Sequence, residues 1–177
     1  MDPANRTDRC LRSCFPKITF CTLASPFAHN DKTHIADIPN VMENIEENMR
    51  MANIVRGSME DFCYLYNLTD ADAIYERVRP FCSTLILTDG ARMIRFYSPA
   101  GCETYPVQPI ETVSTVGAGD NFNAGYIYAK LEGIVEPAQR IDMAQRWSQD
   151  VCRQLGNNIS NELVAQLRKS GGIFSEA

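Results

Sequence analysis

The sequence has no apolar run approaching the roughly 20 residues needed to cross a bilayer, which excludes a membrane-spanning helix. It also lacks an evident secretory leader, because Arg6, Arg9 and Arg12 interrupt the only region where an apolar signal core could lie. Asp2, Asp8 and the nearby prolines argue against a mitochondrial-type presequence as well. Positive charge is in short supply: 17 Lys and Arg face 22 Asp and Glu, for a net charge of −5. That balance argues against nucleic acid as a main partner. A disulfide framework is missing too. The seven cysteines, at positions 10, 14, 21, 63, 82, 102 and 152, are odd in number and mostly scattered, which reads as reduced thiols in a cytoplasmic protein. There are two histidines, His29 and His34, and the Cys10, Cys14 and Cys21 spacing matches no zinc pattern. Internal repeats and low-complexity linkers are absent. What is present is ordinary: 177 residues, 45% hydrophobic and 22% charged, enough for one domain with a substantial core.

Along the chain, residues 1–34 form a poorly specified N-terminal segment with at most one short strand, around Ile18 to Leu23. Residues 35–177 carry clear periodicity. Ile38, Val41, Met42, Ile45, Met49 and Ala52 recur at helical spacing, with Pro39 near the first turn. Ile54 and Val55 read as a short buried strand. Ser58 opens a helix ending near Asn67, and Thr69 caps another that runs to about Phe81. Residues 84–88 read as a buried strand, and 93–97 and 103–107 as two more, joined by Pro99, Ala100 and Gly101. Phe122, Gly125, Tyr126 and Ala129 share one helix face, stopped by Gly133. A helix from Pro137 to Leu155 follows, striped with Ile141, Ala144, Ser148, Val151 and Leu155, and Ser160 caps a last one to about Lys169. Strands interleaved with helices imply an α/β layered fold with a largely parallel sheet.

The stretch from Thr115 to Gly125 carries the most chemistry. Gly117 and Gly119 have no side chains to keep a ligand from the backbone, and the N–H groups that open the following helix have no partners within it. Such a turn suits an anion. Asp120 is odd there, because its charge repels a phosphate. It makes sense as a base that takes a proton from an attacking hydroxyl while the amides hold the transferred phosphoryl group. The alternative is a carboxylate that merely stabilises the helix N-terminus. Acidic overall charge does not oppose a phosphate site, since amides and a magnesium ion need no global positive charge.

The string Ser114-Thr115-Val116-Gly117-Ala118-Gly119-Asp120-Asn121-Phe122-Asn123-Ala124-Gly125 resembles the D-T-x-G-A-G-D-x-F-x-x-G signature of the ribokinase family, the pfkB-type carbohydrate kinases. The resemblance covers about Ile35 to Ser170 and implies the C-terminal portion of a ribokinase-like three-layer fold. It implies an ATP-dependent kinase that moves the γ-phosphoryl group to a hydroxyl of a small sugar or sugar-like substrate: fructose, ribose, a keto-sugar acid or a nucleoside. It assigns Asp120 as catalytic base and Gly117, Ala118 and Gly119 as the anion hole. Ser58-Met59-Glu60-Asp61 resembles the family's N-x-x-E element, which organises Mg2+ through water. The same four residues also spell a helix capping box. Thr88-Asp89-Gly90-Ala91 looks like the T-x-G-x-x-G nucleotide loop, with Met93 at the second glycine, or else like an ordinary turn. By the same resemblance Thr88, Gly90, Thr115 and Ser148 contact the nucleotide; Trp147 and Ser148 lie on the helix that passes the adenine, unless they simply pack. Ser114 stands where the family's aspartate helps hold a monovalent cation, and a neutral serine cannot supply the same field, which argues against potassium activation.

Family members run to about 300 residues, and their first half supplies the sugar-binding groups and a lid. Nothing like that half is read here, and Phe20 to Pro26 stands where the family has F-D-x-N-x-R. The expectation is a truncated or frame-disrupted product whose native-like sequence resumes near Ala28. Two functional readings follow: a carbohydrate kinase, or an inactive remnant that at most binds nucleotide or pairs with another chain. Losing half a sheet would expose an edge and an apolar face, which a homo-oligomer could cover.

Overall fold

A computed structural model describes residues 20–22 and 41–169 of the chain. Five strands form one sheet in the order β1-β2-β3-β4-β5: Phe20–Thr22, Ile54–Ser58, Leu85–Asp89, Met93–Ser98 and Gly101–Pro106. Among the described residues six helices surround it: α1 Val41–Met51, α2 Met59–Tyr66, α3 Ala71–Val78, α4 Ala118–Leu131, α5 Pro137–Cys152 and α6 Asn161–Lys169.

Strand alternation sorts the side chains between two faces. Val55, Leu85 and Leu87 join Met49, Phe62, Leu65, Ile74 and Val78 in a core beneath α1, α2 and α3. Ile54, Ile86, Ile94 and Phe96 join Phe122, Tyr126, Ile141 and Ala144 in a second core beneath α4 and α5. The sheet is thus the middle of three layers. A third cluster, Tyr128, Trp147, Leu163 and Leu167, docks α6 against α4 and α5.

The largely parallel sheet expected from the sequence is corrected to a mixed one. The β1–β2 and β2–β3 pairs are parallel, whereas β3–β4 and β4–β5 are antiparallel. The reason is connection length. Three residues link β3 to β4 and two link β4 to β5, with Gly90 at φ 53° in the first turn. A parallel return needs a crossover of a dozen or more residues.

Most boundaries fall close to expectation, with two corrections. Helix α3 is capped by Asp70, whose Oδ1 accepts from the Ala73 amide at 2.8 Å, and not by Thr69; it ends at Val78, short of Phe81. Helix α5 stops at Cys152, so Leu155 falls beyond its stripe and is 84% exposed. The expected N-terminal strand exists as β1, paired parallel to β2. Ile35, Ile38, Pro39 and the 28–34 stretch, with Cys10 and Cys14, lie outside the described residues. No helix among the described residues is long and apolar enough to cross a membrane.

Candidate phosphate-binding site

Strands β2 and β3 run parallel and end side by side, and α4 begins above their C-terminal ends. An open α/β sheet offers its crevice at that edge. Here the crevice is a cavity of about 660 Å³, lined by Ser58 and Asp61 after β2, Thr88 and Gly90 at the end of β3, Thr115 and Gly117 to Asp120 at α4, and Ser148 on α5. The residues assigned from the sequence to catalysis, the anion hole, the nucleotide and the metal therefore line one cavity, whereas Ser114 stands outside its lining. Trp147 does not line it either: it is buried and stacks on Tyr128 with ring centroids 5.5 Å apart, so of the Trp147–Ser148 pair only the serine faces the cavity.

Helix α4 enters the cavity without a side-chain cap. Its N-cap is Gly117, held at φ 77° and ψ 0°, a left-handed conformation that disfavours any residue with a Cβ. A Cβ at Gly117 would also meet Asn157 Oδ1 at 1.8 Å. Asn121 locks this turn, its Nδ2 donating both to the Gly117 carbonyl at 3.0 Å and to Asn157 Oδ1 at 2.7 Å. The Ala118 amide donates back to the Thr115 carbonyl at 3.2 Å, which leaves the Gly119 and Asp120 amides at the mouth of the helix. Asp120 is exposed to the cavity, and its carboxylate has no hydrogen-bond partner among the described residues.

Ser58 and Asp61 form the full capping box of α2. Ser58 Oγ accepts from the Asp61 amide at 3.0 Å, and Asp61 Oδ2 accepts from the Ser58 amide at 2.8 Å. Gly90 sits in the β3–β4 turn beside the Asp89–Arg92 ion pair, so this segment is also an ordinary hairpin. The linker from Val107 to Thr115 forms the remaining wall. It is stitched to α5 by Gln149 Nε2 on the Gln108 carbonyl at 2.9 Å and by the Val113 amide on the Cys152 carbonyl at 2.8 Å.

Sequence reasoning missed Arg56. It lies on β2 with its side chain on the α4 face of the sheet, lines the cavity, and donates from Nη2 to Thr88 Oγ1 at 3.1 Å. Its Cζ is 5.4 Å from the centroid of the Phe122 ring. Burial pulls the guanidinium below its usual range, while Asp61 and Asp120 push it back up. The available signal was an arginine inside the apolar strand Ile54-Val55-Arg56-Gly57-Ser58, where an unpaired charge is rare.

The carboxylates at this site are of the kind that suits magnesium. Asp61, Glu60 and Asp120 all line the cavity, and Mg2+ is held by one or two carboxylates together with water and substrate phosphates. No group of three or more metal-ligating side chains occurs among the described residues, so the protein provides no closed cage of its own there.

Comparison with known proteins matches this architecture. Over 116 residues the chain is 31% identical to adenosine kinase of Saccharomyces cerevisiae, spanning 60% of this chain and 34% of that protein. The crystal structure of adenosine kinase from Sinorhizobium meliloti superposes with a TM-score of 0.71 at 19% identity, covering 94% of this chain and 49% of that one. A putative ribokinase II from Escherichia coli, in complex with ATP and Mg2+, superposes with a TM-score of 0.63 at 18% identity, covering 72% and 42%. The chain thus spans between a third and a half of the length of these relatives. The model of the pfkB family carbohydrate kinases matches residues 13–163, most of the sequence. With the glycine turn, the uncapped helix and the cavity between them accounted for, the chain belongs to the pfkB family of carbohydrate kinases.

Proposed function

We propose that this chain carries the nucleotide-binding and phosphoryl-transfer part of an ATP-dependent kinase acting on a sugar or nucleoside hydroxyl. The observation that carries the reading is the uncapped N-terminus of α4 opening into the cavity with Asp120 beside it. Polyphosphate lies against the Gly119 and Asp120 amides, with Gly117 and Ala118 shaping the turn, where developing negative charge is stabilised by fixed dipoles. Thr88, Gly90, Thr115 and Ser148 border the nucleotide. Asp120 accepts the proton of the substrate hydroxyl as its oxygen bonds to the γ-phosphorus. The bond from that phosphorus to the β–γ bridging oxygen breaks, and ADP leaves with the electron pair. Mg2+, when bound, neutralises phosphate charge. Asp61 and Ser58 would hold it through water, which is compatible with the capping box because a carboxylate accepts at several lone-pair positions.

The similar E. coli structure binds ATP and Mg2+, and the matched relatives include adenosine kinases, which favours a ribose-bearing substrate class. Ser114 Oγ accepts from the Val116 amide at 3.2 Å, so it is committed locally. Together with the Asn121–Asn157 lock on Gly117, this supports a turn held without a monovalent cation. A second reading is nucleotide binding without turnover, since the open α4 N-terminus and its cavity account for holding phosphate whether or not a hydroxyl is in place. Calorimetric titration with Mg-ATP, with and without a panel of sugars and nucleosides, decides between them. Sugar-dependent turnover is expected to fall by a factor of about 10² to 10⁴ in Asp120→Asn, with Mg-ATP binding retained. Unchanged turnover would remove Asp120 as base, and Mg-ATP binding without turnover in the unaltered protein would select the second reading.

A further inference from the structure

We propose that Arg56 is a phosphate-contacting cation of this site, supplied from the sheet beneath the helix N-terminus; this rests on the nucleotide-binding reading above. The placement is specific. Gly119 belongs to the first turn of α4, and a Cβ there would come within 2.9 Å of Arg56 Nη1, with further guanidinium atoms at 3.5 and 3.6 Å. The guanidinium is thus seated against the backbone whose amides face the cavity, and Gly119 is what allows the approach. Sheet register sets the rest: Arg56 and Ser58 share one face of β2, and Ser58 pairs with Thr88 of β3, bringing Nη2 to the Thr88 hydroxyl.

The guanidinium is under-satisfied where it sits. Among the described residues its buried Nε has no hydrogen-bond partner, and the donors on Nη2 reach Thr88 alone. A buried cation in that state calls for an acceptor with several oxygens. The planar fork of arginine can set two N–H groups against two oxygens of one phosphate. Asp61 and Asp120 flank it electrostatically, and a cation between them keeps two carboxylates and an incoming polyphosphate from repelling one another. A purely structural strut between β2 and α4 would need the same packing but would show no preference for phosphate.

The test is titration of the chain with inorganic triphosphate, free of metal, followed by titration with Mg-ATP. Arg56→Met is expected to weaken triphosphate binding about tenfold to a hundredfold, the range of one or two charge-assisted hydrogen bonds. Arg56→Lys should recover part of the loss, since a point charge still attracts phosphate. Should the methionine variant fail to fold, Arg56→Gln carries the same comparison with a polar side chain. Gly119→Ala, which displaces the guanidinium, should weaken binding in the unaltered background and add little to Arg56→Met. Triphosphate binding unchanged in a folded Arg56→Met or Arg56→Gln variant would overturn the inference while leaving the kinase reading intact. An unaltered protein that binds neither triphosphate nor Mg-ATP would overturn both.

Discussion

At the residue scale, single atoms decide what the chain tolerates. Gly125 faces α5 so closely that a Cβ would meet the Met143 carbonyl oxygen and Trp147 Cγ at 2.9 Å and Ala144 Cα at 3.0 Å. Two of these are backbone atoms and cannot rotate away. Overpacking of this kind costs about 1–3 kcal/mol, so Gly125→Ala is expected to lower the midpoint of thermal unfolding by several degrees, readable by circular dichroism. The substitution also shifts α4, whose first turn faces the cavity. Asp120 and Arg56 are the opposite kind of residue. Both line the cavity and carry a charge there, which the proposed phosphoryl transfer would use.

At the element scale, capping sets where helices start and therefore where functional groups point. The Ser58–Asp61 box starts α2 directly after β2, so that both side chains stand at the cavity edge. Ser58→Ala removes one arm of the box and is expected to destabilise the protein by about 0.5–2 kcal/mol, measured as a shift in denaturant midpoint. The same variant tests whether the box serves only the helix: a stability loss with unchanged Mg-ATP affinity would confine Ser58 to capping. Helix α4 differs. It has no side-chain cap, and its N-terminus opens into the cavity. Helix α5 is tied to α6 by Asp150, which accepts from the Ser160 amide and hydroxyl, both at 2.6 Å. That tie holds Ser148, Gln149 and Cys152 as a fixed wall.

At the scale of the whole molecule, burial couples stability to alkaline pH. Burial raises the Tyr66 phenol to about 12 in the folded protein, with Arg77 opposing, against about 10 for an exposed tyrosine. As pH rises past about 10, the unfolded chain loses this proton while the folded protein keeps it. The contribution of Tyr66 is therefore whole below about pH 10 and is lost as pH climbs through about 12. Tyr97 and Tyr105 are also raised, chiefly by burial, so the loss is shared. Chemical unfolding at a series of pH values is expected to show stability falling over that window. Tyr66→Phe, which removes only the hydroxyl now resting 3.7 Å from Met49 Sδ, should make the fall shallower. An equally steep fall in that variant would assign the effect to the other groups that burial raises, Tyr97, Tyr105 and Tyr126 with Cys21, Cys102 and Cys152.

Local pattern alone determined much of this protein. The helical spacing of Met42, Ile45 and Met49, the apolar strands at Ile54 and Leu85, and the Gly117–Asp120 turn are all readable because they depend on neighbours a few residues away. The candidate site was legible as a set of motifs for the same reason. What tertiary structure alone decided depends on partners far along the chain. The mixed sheet follows from which strands pair across short turns, and the exposure of Leu155 from where α5 actually stops. Most of all, Arg56 enters the site only because β2 and β3 pair in one register and α4 crosses above them, 32 residues from Thr88 and farther still from Gly119. No local pattern encodes that meeting, because a charge buried in a strand acquires its purpose from the surfaces that fold over it.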